Sequence, residues 1–373
     1  MLKNCLDYRV EIVEDAFGES PVVAEVLKEV TGAEEPRVLL VADQNVVQRT
    51  QGLGTRIGRY VQAHGIRLAC NPIVVPGGEK IKADNMQTAY RVMTAMLDAK
   101  LGAGDCVVAL GGGALLDVAG YAAAQVRGGI PIVRLPTTPA AMIDAAYAEY
   151  AAVDSVSVKD ALRVRSMPAA VVIDPAFAQT VLDGVWRSGI GEAVRIAAVQ
   201  DGTLMKKLPE LAERYRERDP AALAEIVADA LAVRRKKGTT SFAEWSAMRL
   251  EAMSGYKLPH GYAVSIGVAI DVAYAVAKDV LKEKDRDVIM GVLDACNALD
   301  GLNHSRHLLS QPENVLCGLD AWRLATGNME VTLPAGLGKA KTDPEPDRTA
   351  YATILKGMSS APAPAPTEQT AAQ

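Results

Sequence analysis

The sequence of 373 residues is poor in aromatic side chains and has no closely spaced cysteines. Phe, Trp and Tyr make up 5% of the chain, while Ala, Val, Gly and Leu are abundant, a composition that suits helices packed on a sheet better than an all-β sandwich. The five cysteines are odd in number and form no CxxC pair, which argues against a zinc ribbon or a disulfide framework. The length allows two domains of ordinary size.

The chain also lacks a strong charge of either sign. Its net charge is −5, and the basic residues are scattered, so nothing indicates a nucleic-acid partner. The first nine residues are too polar for a signal peptide, and we expect no apolar run of membrane-spanning length. We therefore predict a cytoplasmic protein that binds neither nucleic acid nor a membrane.

Residues 1–183 alternate between apolar runs and helical patterns. The continuous apolar character of the runs is typical of a parallel sheet covered on both faces. Ligands of such sheets bind beyond the carboxyl ends of the strands. The predicted strands are Val38–Ala42, Ile73–Val75, Cys106–Leu110, Ile130–Leu135 and Ala169–Ile173, and the helices between them are 46–64, 85–99 and 114–126.

Helical periodicity dominates after Val185. We predict a Rossmann-like α/β domain over 1–183 and an all-helical domain over 184–357, with the active site in the cleft between them. Residues 358–373 are rich in Pro and Ala and have little to bury, so we expect a disordered tail.

A glycine turn is the most specific motif in the first domain. Gly111-Gly112-Gly113 lies between a predicted strand and a predicted helix, a pattern that aims backbone N–H groups at a pyrophosphate. Thr137 and Thr138 follow another strand end. A glycine turn alone is more often only a tight turn, and the prediction of a nucleotide site depends on the whole set.

Several motifs in order resemble the sugar phosphate cyclases, the superfamily of 3-dehydroquinate synthase. The resemblance covers about residues 36–275. Within it, the sequence of 242–258 is more similar to the 2-epi-valiolone synthase branch than to the shikimate-pathway enzymes. The matching stretches are 77–82, 111–120, 135–138 with Asp144, 172–177, 188–192 and 258–267.

The resemblance implies a dehydroquinate synthase-like fold and an NAD-dependent, zinc- or cobalt-dependent lyase. Such an enzyme converts a seven-carbon keto-sugar phosphate to a cyclitol with loss of phosphate, and the resemblance implies a homodimer. Asp43 and Asn45 match the positions that bind the adenosine ribose of NAD in the family. The remaining cofactor positions it implies are Glu79, Lys82, Gly112, Gly113, Asp117, Thr137 and Thr138.

The resemblance implies three metal ligands, of which Glu192 and His260 fit two. The third family ligand is a histidine, and here that position is Glu244. A carboxylate can bind zinc, so a Glu–Glu–His site is one reading. The alternative is that Glu244 is a solvated helix carboxylate.

The catalytic positions depart further from the family pattern. Lys159 and Asp144 match expected positions near cofactor and substrate, and Arg195 stands where lysine is usual. Tyr150 stands at the position of a family lysine, and Met248 at that of a proton-transferring histidine. Methionine cannot titrate, so that role is absent at residue 248.

A segment that ends in a substrate-phosphate arginine in the family is shortened here. The basic run 234–237 either replaces that arginine or is a solvated helix end. The sequence therefore leaves three functions open. The first is an active cyclase, the second an NAD-binding homologue without cyclase activity, and the third a polyol dehydrogenase of the glycerol dehydrogenase type.

Overall fold

The first half of the chain is built on a seven-stranded parallel sheet. A computed structural model describes residues 7–155, 158–327 and 330–360. The strand order is β1-β9-β6-β5-β2-β3, and β4 also pairs with β2, farther along that strand. The strands of this sheet are β1 (Arg9–Ile12), β2 (Arg37–Asp43), β3 (Arg67–Leu68), β4 (Ile73–Val75), β5 (Cys106–Gly111), β6 (Ile132–Pro136) and β9 (Ala170–Ile173).

Helices cover both faces of the sheet, and this explains the apolar central strands. Every residue of β5, β6 and β9 is buried, as predicted for a doubly covered parallel sheet. The helices of this half are α1 (Val22–Thr31), α2 (Gln44–Arg49), α3 (Leu53–Ala63), α4 (Gln87–Asp98), α5 (Gly113–Gln125) and α6 (Pro139–Ile143). The prediction of one helix over 46–64 is wrong, because Gly52 adopts a left-handed φ of 69° and separates α2 from α3.

The second half is predominantly helical, as predicted. Its helices are α7 (Asp183–Ser188), α8 (Ile190–Gln200), α9 (Gly202–Arg216), α10 (Pro220–Lys237), α11 (Glu244–Met253), α12 (His260–Ala277), α13 (Glu283–Ala295), α14 (Asp300–Leu309), α15 (Pro312–Thr326) and α16 (Arg348–Ser360). The boundary near residue 183 stays a prediction.

Helix α12 is the central helix of this half. By length and composition it could cross a membrane, contrary to our expectation for the sequence, but 72% of it is buried inside the protein. It packs against α7, α8, α11 and α16. Its apolar character is therefore explained by its place in the core.

Two antiparallel hairpins depart from the predicted pattern. In the predicted first domain, β7 (Tyr150–Ser155) pairs with β8 (Val158–Arg165). In the second, β10 (Val331–Pro334) pairs with β11 (Ala340–Asp343), so this domain is not entirely helical. The predicted tail begins too early, because α16 continues to Ser360. The rest of that tail, 361–373, lies outside the described residues.

A buried carboxylate anchors the start of α11. Asp271 of α12 is fully buried and accepts hydrogen bonds from the backbone N–H of Ala243, from Trp245 Nε1 and from the Tyr351 hydroxyl. Burial raises the pKa of Asp271 to about 7 because none of these three partners carries a positive charge. The anchor fixes the helix that carries Glu244.

We expect Asp271→Ala to lower the free energy of unfolding by about 3 kcal/mol, because three buried donors lose their acceptor. Because the folded-state pKa is raised, the contribution of Asp271 is greatest at low pH and declines as the pH rises toward 7. Urea unfolding followed by circular dichroism should therefore show a larger loss at pH 5 than at pH 8. The exposed Asp98→Ala is the control, and an equal effect of both substitutions would contradict the account.

Candidate functional site

A cleft of about 340 Å³ lies between the carboxyl edge of the sheet and the start of α12. This volume lies within the range of small-molecule sites. Seven of the nine predicted cofactor residues line the cleft: Asp43, Asn45, Glu79, Gly112, Gly113, Thr137 and Thr138. The opposite wall is 256–261, which ends at His260 and Gly261.

The glycine turn forms the floor of the cleft at the start of α5. Gly112 is the N-cap residue of this helix, so the N–H groups of its first turn have no intrahelical acceptor and face the cleft end of the helix. A Cβ on Gly112 would lie 3.0 Å from Thr138 Cγ2, which shows how closely the turn and the next strand approach. This is the arrangement that suits a phosphate group.

Two polar side chains mark the other end of the cleft. Asp43 ends β2, and its Oδ1 accepts a hydrogen bond of 2.7 Å from the backbone N–H of Asn45. A Cβ on Gly77 would clash with both the Asp43 carboxylate and the Asn45 amide. Glycine at position 77 therefore keeps these two side chains in place.

Lys82 and Asp117 lie apart from the cleft lining, in contrast to the other predicted cofactor residues. The buried Lys82 Nζ lies 2.6 Å from Asp117 and 2.5 Å from Asp160. Burial alone would raise the pKa of Asp160, but Lys82 and Lys159 lower it to about 2. Lys82 is therefore an ion-pair partner for two carboxylates in this arrangement.

A continuous set of ion pairs, here called the charged network, runs beneath the cleft. Lys159 Nζ lies 3.2 Å from Glu79 and 2.5 Å from Glu251. Glu251 in turn lies 2.8 Å from His260 Nδ1, and His260 Nε2 lies 3.0 Å from Glu192. The network thus joins the hairpin β7–β8 to helices α8, α11 and α12.

The two buried carboxylates that contact His260 are ionised at neutral pH. Burial favours the neutral form of Glu251, but Lys159 and His260 hold its pKa at about 2. Burial acts in the same way on Glu192, and Arg195 and His260 hold its pKa at about 2. Burial lowers the pKa of His260, but Glu251 and Glu192 raise it well above its usual value.

Arg195 continues the charged network on the other side of Glu192. Its Nε donates to Glu192 Oε2 at 2.9 Å, its Nη1 to Glu244 Oε1 at 2.8 Å, and its Nη2 to Asp144 Oδ2 at 2.9 Å. Nη1 also donates to the carbonyl of Thr240. One guanidinium therefore serves three carboxylates.

The basic run at the end of α10 divides into two parts. Arg234 is buried, pairs with Asp144 and donates to the carbonyl of Tyr147. The next three residues, 235–237, are exposed at the C-terminus of the helix, where cations are favourable. These three residues therefore form a solvated helix end, whereas Arg234 joins the charged network.

The three predicted metal positions do not form a metal site. Among the described residues, no group of three His, Cys, Asp or Glu side chains is arranged to hold a metal ion. Glu244 faces the Arg195 guanidinium, and Glu192 is shared between Arg195 and His260. Catalytic zinc sites use three protein ligands, and this arrangement does not supply them.

Tyr150 and Met248 occupy two positions that hold catalytic side chains in the resembled family. Tyr150 is half-exposed at the start of β7, and its ring stacks under the Arg163 guanidinium at 5.2 Å, outside the charged network. Met248 lies on the same face of α11 as Glu244 and Glu251, four residues after the first and three before the second. Neither side chain supplies a positive charge.

Glu251 is the central residue that the sequence analysis missed. Its distance of seven residues from Glu244 places both carboxylates on one face of α11, and this spacing was the available signal. Asp160 and Arg234 were also missed as partners. Their ion pairs join residues 78 and 90 positions apart, so no local pattern could reveal them.

The comparisons with known proteins agree with this architecture. The family model for the N-terminal part of 3-dehydroquinate synthase matches residues 72–188, and that for the C-terminal part matches 189–301. A 3-dehydroquinate synthase from Geobacter sp. (strain M21) is 30% identical over 236 residues, which span 60% of this chain and 65% of the relative.

Solved structures share the fold. A 2-epi-5-epi-valiolone synthase from Streptomyces hygroscopicus subsp. jinggangensis 5008, with NAD+ and Zn2+ bound, is 23% identical with a TM-score of 0.81, covering 95% of this chain and 97% of that one. A 2-deoxy-scyllo-inosose synthase complexed with carbaglucose-6-phosphate, NAD+ and Co2+ is 17% identical with a TM-score of 0.76, covering 94% and 96%.

The parallel sheet, the glycine turn and the helical second half define an α/β protein of the Rossmann-like class with a cleft between its halves. The two family models together span 72–301, more than half of the sequence. The chain belongs to the 3-dehydroquinate synthase family, within the sugar phosphate cyclase superfamily.

We expect Glu251→Gln to lower the free energy of unfolding by about 3 kcal/mol at pH 7, because Lys159 and His260 lose a buried counter-ion. Because the folded-state pKa of Glu251 is lowered to about 2, its contribution is present at neutral pH and is lost as the pH falls below about 5. Denaturant unfolding from pH 3 to pH 7 should show a weaker acid dependence in the variant. The exposed Glu210→Gln is the control; a variant as acid-dependent as the wild type would contradict the account.

Proposed function

We propose that this protein binds NAD in the cleft and catalyses a sugar phosphate cyclase reaction. The observation that carries the proposal is one continuous cleft that connects the glycine turn at Gly112 with His260 and the charged network below it. The substrate we propose is a seven-carbon keto-sugar phosphate, and the product is a cyclitol formed with loss of phosphate.

The cleft fits a dinucleotide in three respects. The first turn of α5 offers N–H groups to the pyrophosphate, and Asp43 with Asn45 offers polar groups to the adenosine ribose. The buried hydroxyls of Thr137 and Tyr256 both lie in the cleft lining and have no hydrogen-bond partner among the described residues. Buried polar groups are normally paired, so these hydroxyls are suited to receive a ligand.

Bound NAD would supply reversible hydride transfer at a substrate hydroxyl. The residues of the chain would position the substrate beside it. Lys257 lines the cleft, is exposed, and has no carboxylate partner among the described residues, so it is the cation best suited to a phosphate group. Lys159 is held protonated by Glu251 and Glu79 and contributes a fixed positive charge beneath the cleft.

The remaining functional inferences also belong to this proposal. We propose a homodimer in the cytoplasm that acts on a small phosphorylated sugar and binds neither nucleic acid nor a membrane. Asp144 would fix Arg195 and Arg234 rather than contact substrate directly, because both of its carboxylate oxygens are taken by these guanidiniums.

The direct test combines two assays on the purified protein. Nucleotide extracted after denaturation should be NAD, and incubation with NAD and sedoheptulose 7-phosphate should release inorganic phosphate without net formation of NADH. NAD binding without phosphate release, with or without zinc or cobalt, would contradict the cyclase and favour a binding-only homologue. Net NADH from polyols would favour a dehydrogenase.

Gly77→Ala should weaken NAD binding at least about tenfold, equivalent to about 1.4 kcal/mol, because the new methyl group displaces Asp43 and Asn45. Isothermal titration calorimetry with NAD measures the change. Gly58→Ala is the matched control, since a Cβ there meets no atom within 4 Å. Unchanged affinity in Gly77→Ala would place the adenosine ribose elsewhere.

A further inference from the structure

The guanidinium of Arg195 occupies the space among the carboxylates of Glu192, Glu244 and Asp144. The side chain is 4% exposed, and its three nitrogen atoms donate to the three carboxylates at distances of 2.8–2.9 Å. A fourth bond, to the carbonyl of Thr240, uses another of its five N–H groups. A cation already serves these carboxylates, and it is part of the chain.

His260, on the other side of Glu192, is also paired with side chains of the protein. Its Nδ1 and Nε2 each contact a carboxylate, Glu251 at 2.8 Å and Glu192 at 3.0 Å. Both ring nitrogens are therefore already engaged by side chains of the protein, one on α11 and one on α8. A metal ion bound to His260 would have to displace one of these carboxylates from a ring nitrogen.

A divalent ion at this place would also meet the positive charge of Arg195. The two cations would compete for the same oxygens of Glu192 and Glu244, and their mutual repulsion is large at short distance in a buried site. Arginine cannot relieve the conflict by losing its proton, because its pKa is far above neutral. Burial of Arg195 is tolerated because three carboxylates pair with its guanidinium.

We propose that Arg195 replaces the divalent metal ion as the cation that holds Glu192 and Glu244, so that the site of this protein is complete without bound metal. The role of Arg195 is positioning. It fixes Asp144 at the end of α6, Glu192 on α8 and Glu244 on α11, and thereby ties the sheet half of the cleft to its helical half. Glu192 then orients His260 toward the cleft.

The test begins with the full-length wild-type protein. Metal analysis after purification should find substoichiometric zinc and cobalt. Neither EDTA nor added zinc should shift Tm or the affinity for NAD. One tightly bound zinc or cobalt ion per chain, with a lower Tm after chelation, would overturn the proposal.

A pair of variants tests whether Arg195 is the group that excludes metal. Arg195→Lys combined with Glu244→His leaves an oxygen of Glu192 free and supplies an imidazole. This variant should bind one zinc ion per chain, with Tm raised by about 5 °C or more at saturation. The control combines Arg187→Lys with Glu244→His and retains Arg195, so it should bind no zinc. Among the described residues, Arg187 forms ion pairs with the exposed Asp183 and the half-exposed Asp300.

Stoichiometric zinc in the Arg187→Lys control would overturn the proposal, since Arg195 would then not exclude metal. Should the Arg195 variant fail to fold, the wild-type measurements decide the matter alone. The inference rests on the proposed function only for the use of the cleft. Its readouts are metal content and Tm, so it can fail while NAD binding and phosphate release succeed, and the reverse also holds.

Discussion

The carboxylate of Glu192 is the contact on which the rest of the site depends. One of its oxygens accepts from Arg195 and the other faces His260, so a single buried side chain joins the two parts of the charged network. Removing Arg195 or His260 would take one of two partners from this buried carboxylate, and breaking a buried pair costs more than the intact pair contributes to stability. This constraint explains why the ion pairs form one continuous network.

The network also explains how the two halves of the chain form one cleft. Asp144 and Lys159 of the sheet half pair with Arg195 and Glu251 of the helical half, and Glu79 pairs with Lys159 within the sheet half. The cleft therefore lies above a set of fixed charges, and its lining includes glycine and hydroxyl groups. The first is suited to orient a polar substrate, and the second admits a nucleotide close to the backbone.

The sequence predicts the sheet and the glycine turn well because both depend on local patterns. The apolar runs of β5 and β9 and the turn at Gly111–Gly113 lie where they were expected. The hairpin β7–β8 was missed, because exposed polar residues alternate irregularly along β8. The break between α2 and α3 could have been recognised from Gly52, whose left-handed conformation ends the helical pattern.

The charged part of the site was harder to predict for a physical reason. The resemblance predicts Glu192, Glu244 and His260 as metal ligands, but both carboxylates are bound by Arg195, whose guanidinium also reaches Asp144 at the end of α6. A substitution of lysine by arginine keeps the charge and changes the geometry from a point to a planar fork. Only the three-dimensional arrangement shows that this fork takes up the carboxylates.

A crystal structure of the protein grown with NAD and zinc, with anomalous data collected at the zinc edge, tests the central claim most directly. The account predicts NAD along the glycine turn, Arg195 between Glu192 and Glu244, and no anomalous peak among these side chains. A zinc peak bound by Glu192, Glu244 and His260, with Arg195 displaced, would contradict it.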